Sequence, residues 1–220
     1  MDELRLSIPP EAQAAFAVLE RYTRPAPLVV IISGPSGVGK DSAIKRMREL
    51  AYPFHFVVTT TDRPRRPGEV EGVDYRFIST AEFERLIAQD ELFEYARVYG
   101  QYKGVPKREV REALSRGVDV IMRLDVQGTA TVRRLVPLAV TIFLAPPSLE
   151  VLIAHLQRRV GDSPQQRQQR LEIALAEMRC IADFDYVVVN HEGALDETVR
   201  QIAAIISAEK CRAVRCQTLV

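Results

Sequence analysis

The residues with the clearest chemical potential lie between Gly34 and Ser42, in the run "GPSGVGKDS". A glycine-rich turn lets backbone N–H groups converge on an anion, and the pattern G-x-x-x-x-G-K runs from Gly34 to Lys40. Gly34, Pro35, Ser36, Gly37, Val38, Gly39, Lys40, Asp41 and Ser42 are therefore the candidate phosphate-binding residues. Lys40 supplies a full positive charge for the β- and γ-phosphates of a nucleotide. The next position of such a loop normally carries a Ser or Thr hydroxyl for magnesium. Here it is Asp41, and the serine comes one place late, at Ser42. A carboxylate is itself a good Mg2+ ligand, and a helix start favours negative charge. It also sets a negative charge beside phosphates, so a cation must offset it.

A second cluster reads "TDRPRRPGEVEGVDY", residues 61–75. Arg63 and Arg66 flank a turn stiffened by prolines, which makes a fixed fork for a phosphate group. Glu69, Glu71 and Asp74 nearly balance those arginines, so this is no general nucleic-acid patch. A third, "HLQRRVGDSPQQRQQRL", places Arg158, Arg159, Arg167 and Arg170 around a Gly/Asp/Ser/Pro turn, with Asp162 opposing them.

These clusters need a scaffold, and the hydrophobic pattern supplies one. "LVVIIS" at 28–33 is apolar throughout and β-branched, as a strand buried on both faces of a parallel sheet should be. It leads directly into the glycine loop, and a helix from about Lys40 to Leu50 follows. Similar strands recur at 118–124, 139–145 and 185–189. Between them lie helix signals: Pro106 as a first helical position and Gly117 as a stop, and "SPQQ" at 163–166 as a capping box for a helix to about Ala182. Residues 10–22 and 196–210 read as further helices. The alternation predicts an α/β fold, with a parallel sheet flanked by helices. Residues 55–105 break the rhythm with short strand-like pieces between Arg/Pro/Gly-rich turns, which predicts an inserted lobe.

Composition narrows the class. The chain has 220 residues, 47% hydrophobic and 27% charged, with a net charge of +1, so it carries no basic excess for nucleic acid. Cys180, Cys211 and Cys216 are sparse and odd in number, as expected of reduced thiols in a cytoplasmic protein. No apolar run approaches the ~20 residues that span a bilayer, so no membrane partner is expected.

Taken together these residues resemble the guanylate kinase family. "SGPSGVGK", T-x-R-x-x-R-x-G-E-x-x-G-x-D-Y at 61–75, "EYA" at 94–96, "DVQG" at 125–128 and "APPS" at 145–148 occur in that family's order and spacing, over roughly residues 28–209. The resemblance implies transfer of a phosphoryl group from MgATP to GMP. It implies a phosphate-loop (P-loop) NTPase-type core at 28–54, 106–147 and 171–210, a GMP-binding lobe at 55–105 and a mobile lid at 148–170. Residues 1–27 then form a helical extension and 211–220 a tail, in a monomer or homodimer. It also implies roles. Arg63, Arg66 and Tyr75, with Lys103, hold the GMP phosphate. Glu94 and Thr59 contact guanine, and Asp125 lies near the reacting phosphates and metal. Arg159 and Arg170 close over the transferring group beside Lys40. Asn190 lies near adenine.

The sequence departs from the family pattern at Asp41, at Arg123 where an acid is usual, at Lys103 and Val105 where Tyr and Ser/Thr are usual, and at His155, often Arg. Val105 has no hydrogen bond to offer a base. Arg123 and Asp125 share one side of their strand, whose end should lie beside the phosphate loop. An added acid at Asp41 thus comes with an added base at Arg123, and the two are expected to pair unless Asp41 binds magnesium. The string "GPSGxGKDS" is also similar to ribose 1,5-bisphosphate kinases, which lack the R-x-x-R-x-G-E…D-Y pattern. A catalytically inactive guanylate-kinase-like module that binds phosphopeptides is a further alternative.

Overall fold

The computed structural model describes residues 9–23, 25–66, 68–98, 100–158 and 163–213. In chain order the elements are α1 (Pro10–Thr23), β1 (Val29–Ser33), α2 (Lys40–Glu49), β2 (His55–Phe56), β3 (Thr60–Thr61), β4 (Arg76–Phe77), α3 (Thr80–Ala88), β5 (Leu92–Val98), β6 (Gln101–Pro106), α4 (Lys107–Ser115), β7 (Val120–Arg123), α5 (Val126–Leu135), β8 (Val140–Ala145), α6 (Leu149–Gln157), α7 (Pro164–Met178), β9 (Tyr186–Val189) and α8 (Leu195–Lys210).

Five strands form a parallel sheet in the order β2-β7-β1-β8-β9, and four form a second sheet in the order β4-β3-β6-β5. Side chains alternate along β1, so one strand feeds two cores. Val30 and Ile32 face Ala43, Ile44 and Met47 of α2 and Val199, Ile202 and Ile206 of α8. Val29 and Ile31 face Val110 and Ala113 of α4 and Val132 of α5. Every β1 residue is buried, which is why the segment has no polar face. The phosphate loop leaves the carboxyl end of this strand, where open parallel sheets bind ligands.

The strands expected at 28–33, 118–124, 139–145 and 185–189 are β1, β7, β8 and β9 of this sheet. The boundary expected for the inserted lobe needs correction at its start. His55 and Phe56 pair in parallel with Val120 and Ile121, so β2 belongs to the core and the lobe's sheet begins at Thr60. Pro106 is the N-cap of α4 and also the last residue of β6, not a first helical residue. The capping box at Ser163 and Gln166 is present. Helix α7 runs unbroken across position 170, where the lid was expected to meet the core, and stops at Met178 before a single turn of 3-10 helix. No helix among the described residues is long and apolar enough to cross a membrane.

Asp119 ties both ends of the core together. Its Oδ1 accepts from the Leu28 N–H at 2.9 Å and its Oδ2 pairs with Lys210 at 2.7 Å, with Asp119 only 5% exposed. Asp119→Ala strands a buried donor and frees the end of α8, so it is expected to cost about 2–3 kcal/mol. Urea unfolding should show a lower midpoint for Asp119→Ala, and Asp119→Asn, which keeps the acceptor oxygen, should recover part of the loss.

Candidate active site

The phosphate loop is tied to the sheet on one side and to α8 on the other. Gly34 has φ +129°, and a Cβ there would lie 2.1 Å from the Leu144 carbonyl oxygen, so the loop runs hard against β8. Gly39 has φ +97° and leaves room for the Asn190 amide, which a Cβ would approach to 2.5 Å. Asn190 Nδ2 donates to the Val38 carbonyl at 2.8 Å and its Oδ1 accepts from the Thr198 hydroxyl at 2.8 Å. Asn190 thus clamps the loop to α8. His155, another departure from the family pattern, donates from Nδ1 to the Gly37 carbonyl at 3.0 Å.

Lys40 opens α2 and folds back, donating to the carbonyls of Gly34 and Pro35. Burial pulls its ammonium down to about 8, against the opposing pull of Glu177 and Asp41. Glu177 of α7 accepts from the Ser36 N–H at 3.3 Å, placing a carboxylate on one of the donors that would hold a phosphate. Burial raises its pKa. Nothing in the sequence marks Glu177, which lies 141 positions from its partner.

Asp41 pairs with Arg123, Oδ1 accepting from Nη1, as the charge pattern led one to expect. Asp125, two residues on, caps α5 by accepting from the Gly128 N–H at 2.7 Å. Glu94 lies close by on β5, 8% exposed. Burial and then the neighbouring Asp125 push its pKa up to about 7. Gly128 makes this possible, because a Cβ there would come within 3.1 Å of the Glu94 carboxylate.

The acceptor lobe gathers cations around one ring. Tyr75 has the Arg63 guanidinium 4.7 Å, the Arg123 guanidinium 4.9 Å and the Lys103 ammonium 5.7 Å from its centre. The arginine fork is built differently from the expected pair of splayed side chains. Arg63 is 5% exposed and turns both terminal nitrogens onto Glu69, which also accepts from the Arg66 N–H at 2.8 Å. Glu69 therefore sets the turn, a role that sequence reading reduced to charge balance. Burial, then Arg123, Arg63 and Arg66, lower the pKa of Lys103. Thr59 is buried and lines the cleft. Val105 does not line it. It is 1% exposed and packs in the core with Phe93 and Val110.

These groups enclose one cleft of about 580 Å3 between the loop, the lobe and α7, from which Arg170, Ile173 and Glu177 face inward. Of the expected residues the cleft unites those of the loop from Pro35 to Ser42 with Thr59, Arg63, Arg66, Tyr75, Glu94, Lys103, Asp125 and Arg170. Gly34 supports the loop from behind. Arg159 lies outside the described residues.

A glycine loop after the first strand of a parallel sheet, opposed across a cleft by a cation-lined lobe, defines a phosphate-loop kinase. The comparisons give the family. The family model "Guanylate kinase" matches residues 26–209. Guanylate kinase 2, chloroplastic/mitochondrial, of Oryza sativa is 46% identical over 189 residues, covering 86% of this chain and 66% of the rice protein. A guanylate kinase of Thermus thermophilus is 46% identical over 185 residues, covering 84% of this chain and 83% of its own. The crystal structure of guanylate kinase from Anaplasma phagocytophilum superposes with a TM-score of 0.67 at 30% identity, over 85% of this chain and 88% of its own. The chain belongs to the guanylate kinase family.

Glu94 yields a stability prediction. Its folded pKa of about 7 lies above the ordinary 4.5. Its stabilising contribution is therefore complete below about 4.5 and lost as pH rises through about 7. Glu94→Gln does not titrate. It is expected to be more stable than the parent protein at pH 8, by on the order of 2–3 kcal/mol, and to lose that advantage by pH 5. Urea midpoints of the two proteins across this range measure the difference.

Proposed function

We propose that this chain transfers the γ-phosphoryl group of MgATP to GMP, giving ADP and GDP. The observation that carries the reading is the buried Glu94 carboxylate beside a cation-lined lobe that faces a phosphate loop. Guanine presents two donors on one edge, N1–H and the 2-amino group, and a carboxylate accepts both. Adenine cannot supply them, and a desolvated acceptor left unpaired penalises the wrong base. Thr59 completes the base side of the lobe, and Arg66, Arg63, Lys103 and Tyr75 receive the GMP phosphate.

On the donor side the loop N–H groups and Lys40 take the ATP phosphates. Arg170, with Arg159, is assigned to the transferring group, whose reaction needs positioning and charge neutralisation more than covalent help. The residues present also fit magnesium, a cation that takes one or two carboxylates together with substrate phosphates and waters. Asp125 and Asp41 both border the cleft beside the loop, and these two would hold it. Bound there, the ion offsets phosphate charge.

Purified protein given ATP and magnesium should form ADP rapidly with GMP, and slower by about 10³-fold or more with AMP, in line with sites built to bond a substrate N–H. IMP, which lacks the 2-amino donor, should fall between them, and Glu94→Gln should lower kcat/KM for GMP by about 10²-fold. GMP affinity should weaken as pH falls through about 7, where Glu94 takes up a proton, and Glu94→Gln should lack that limb. Turnover with ribose 1,5-bisphosphate alone would replace this reading, and binding of GMP without any turnover would make the chain a binding module.

A further inference from the structure

Arg123 ends β7 at the carboxyl edge of the sheet, and its guanidinium belongs to both halves of the cleft. Nη1 pairs with Asp41, one residue past the loop lysine. The carbon of the same guanidinium lies 4.9 Å from the centre of the Tyr75 ring, which also carries Arg63 and Lys103 of the acceptor lobe. Its charge acts on Lys40 on one side and on Lys103 on the other. Arg123 thus bridges the donor loop and the acceptor lobe, between which a phosphoryl group must pass.

The two partners of the Asp41 pair are unequally placed. The Asp41 side chain is 69% exposed and that of Arg123 is 19% exposed. Asp41, the solvated partner, is the one free to turn out into water, while the Arg123 guanidinium stays beside Tyr75. A phosphate oxygen offers more charge and suits the planar fork of a guanidinium better. Asp41 therefore holds Arg123 in place and yields it readily to a stronger anion. In the transfer, an oxygen of the GMP phosphate bonds to the γ-phosphorus while the bond from that phosphorus to the β-bridging oxygen breaks, its electron pair leaving with ADP. Negative charge spreads over the equatorial oxygens meanwhile. A cation fixed to the core at that point is in place without lid closure.

We propose that Arg123 is a further catalytic residue, exchanging Asp41 for the oxygens of the transferring phosphoryl group and neutralising them while keeping its own proton. This rests on the GMP kinase reading.

Four proteins separate the possibilities: the parent, Arg123→Gln, Arg123→Lys, and Asp41→Asn combined with Arg123→Gln. Each is first titrated calorimetrically with ATP and with GMP, which also shows that it folds. Arg123→Gln is expected to lower kcat by about 10²-fold or more, the scale of losing one charge-stabilising donor, with either KM changing less than about threefold. Arg123→Lys, which keeps the charge without the fork, should recover a minor part. A second readout needs no turnover: the affinity of adenosine and guanosine joined through five phosphates, which fills both sites, should fall by more than the product of the separate ATP and GMP losses. If Arg123 only neutralises Asp41, the double variant regains the parent's affinity for the analogue measured without magnesium, where Asp41 holds no ion, and the proposal is wrong. A kcat held within threefold in Arg123→Gln overturns it as well. Failure of the GMP kinase reading itself looks different, since the parent would then not turn over GMP.

Discussion

Repulsion between two sets of phosphates is the constraint around which this molecule is arranged. A donor and an acceptor nucleotide cannot be brought together without a local excess of positive charge, yet the chain as a whole is nearly neutral. The excess is concentrated in one cleft, where Lys40, Arg63, Lys103, Arg123 and Arg170 converge. Such a cluster repels itself, and burial makes matters worse by weakening the hold of Lys40 and Lys103 on their protons. Carboxylates answer this one by one. Glu69 holds Arg63, Asp41 holds Arg123, and Glu177 acts on Lys40 while bonding the loop. Each of these carboxylates offsets one of the cations that the cleft brings together.

Charges placed in this way are useful only if they do not move when the phosphates arrive. Electrostatic stabilisation works through groups already in position, because no reorganisation is then needed during reaction. The fold provides that rigidity for the donor loop. Gly34 is pressed against Leu144, and Asn190 fastens Val38 to Thr198 at the start of α8. The far end of α8 is tied by Lys210 to Asp119 and by Glu209 to the Tyr186 hydroxyl. The loop is therefore anchored through a helix to the opposite edge of the sheet. The acceptor lobe has its own sheet and its own aromatic contacts, including Phe83 stacked on Tyr102, and it meets the loop across the cleft.

What the sequence disclosed follows from which interactions are local. The phosphate loop, the buried strands and the capping box at Ser163 depend on spacing within a few residues, and they were legible. The Asp41–Arg123 pair spans 82 positions, yet it was legible because strand alternation and a double departure in charge pointed the same way. Glu177 carries no such signal, since its contact with Ser36 depends on how α7 crosses the loop. His55 and Phe56 make a two-residue strand whose sheet is decided by distant β7, so no local pattern could assign it. Glu94 follows an irregularity in the β5–β6 register, and Leu92, Phe93 and Glu94 are all buried in succession. Strict alternation fails there, and only the family motif singled Glu94 out. The same strand geometry turns Val105 into the core, which inspection of a motif column could not reveal.

Glu94 also shows which demand prevails where stability and function conflict. A buried carboxylate beside Asp125, with no cation pairing it among the described residues, destabilises the folded chain at neutral pH. Replacing it by an amide would relieve that strain, and a methyl group at Gly128 would crowd it further. Both features instead leave the Glu94 carboxylate at the cleft with no hydrogen bond to it among the described residues. An acceptor already desolvated and unpartnered discriminates strongly between bases, because the correct base satisfies it and the wrong one leaves it exposed to the cost of burial. Surrounding it with hydrogen bonds would make the fold more stable and, on the proposed reading, the choice of base poorer. The desolvation that raises the pKa of Glu94 is the same desolvation on which the proposed reading of guanine draws.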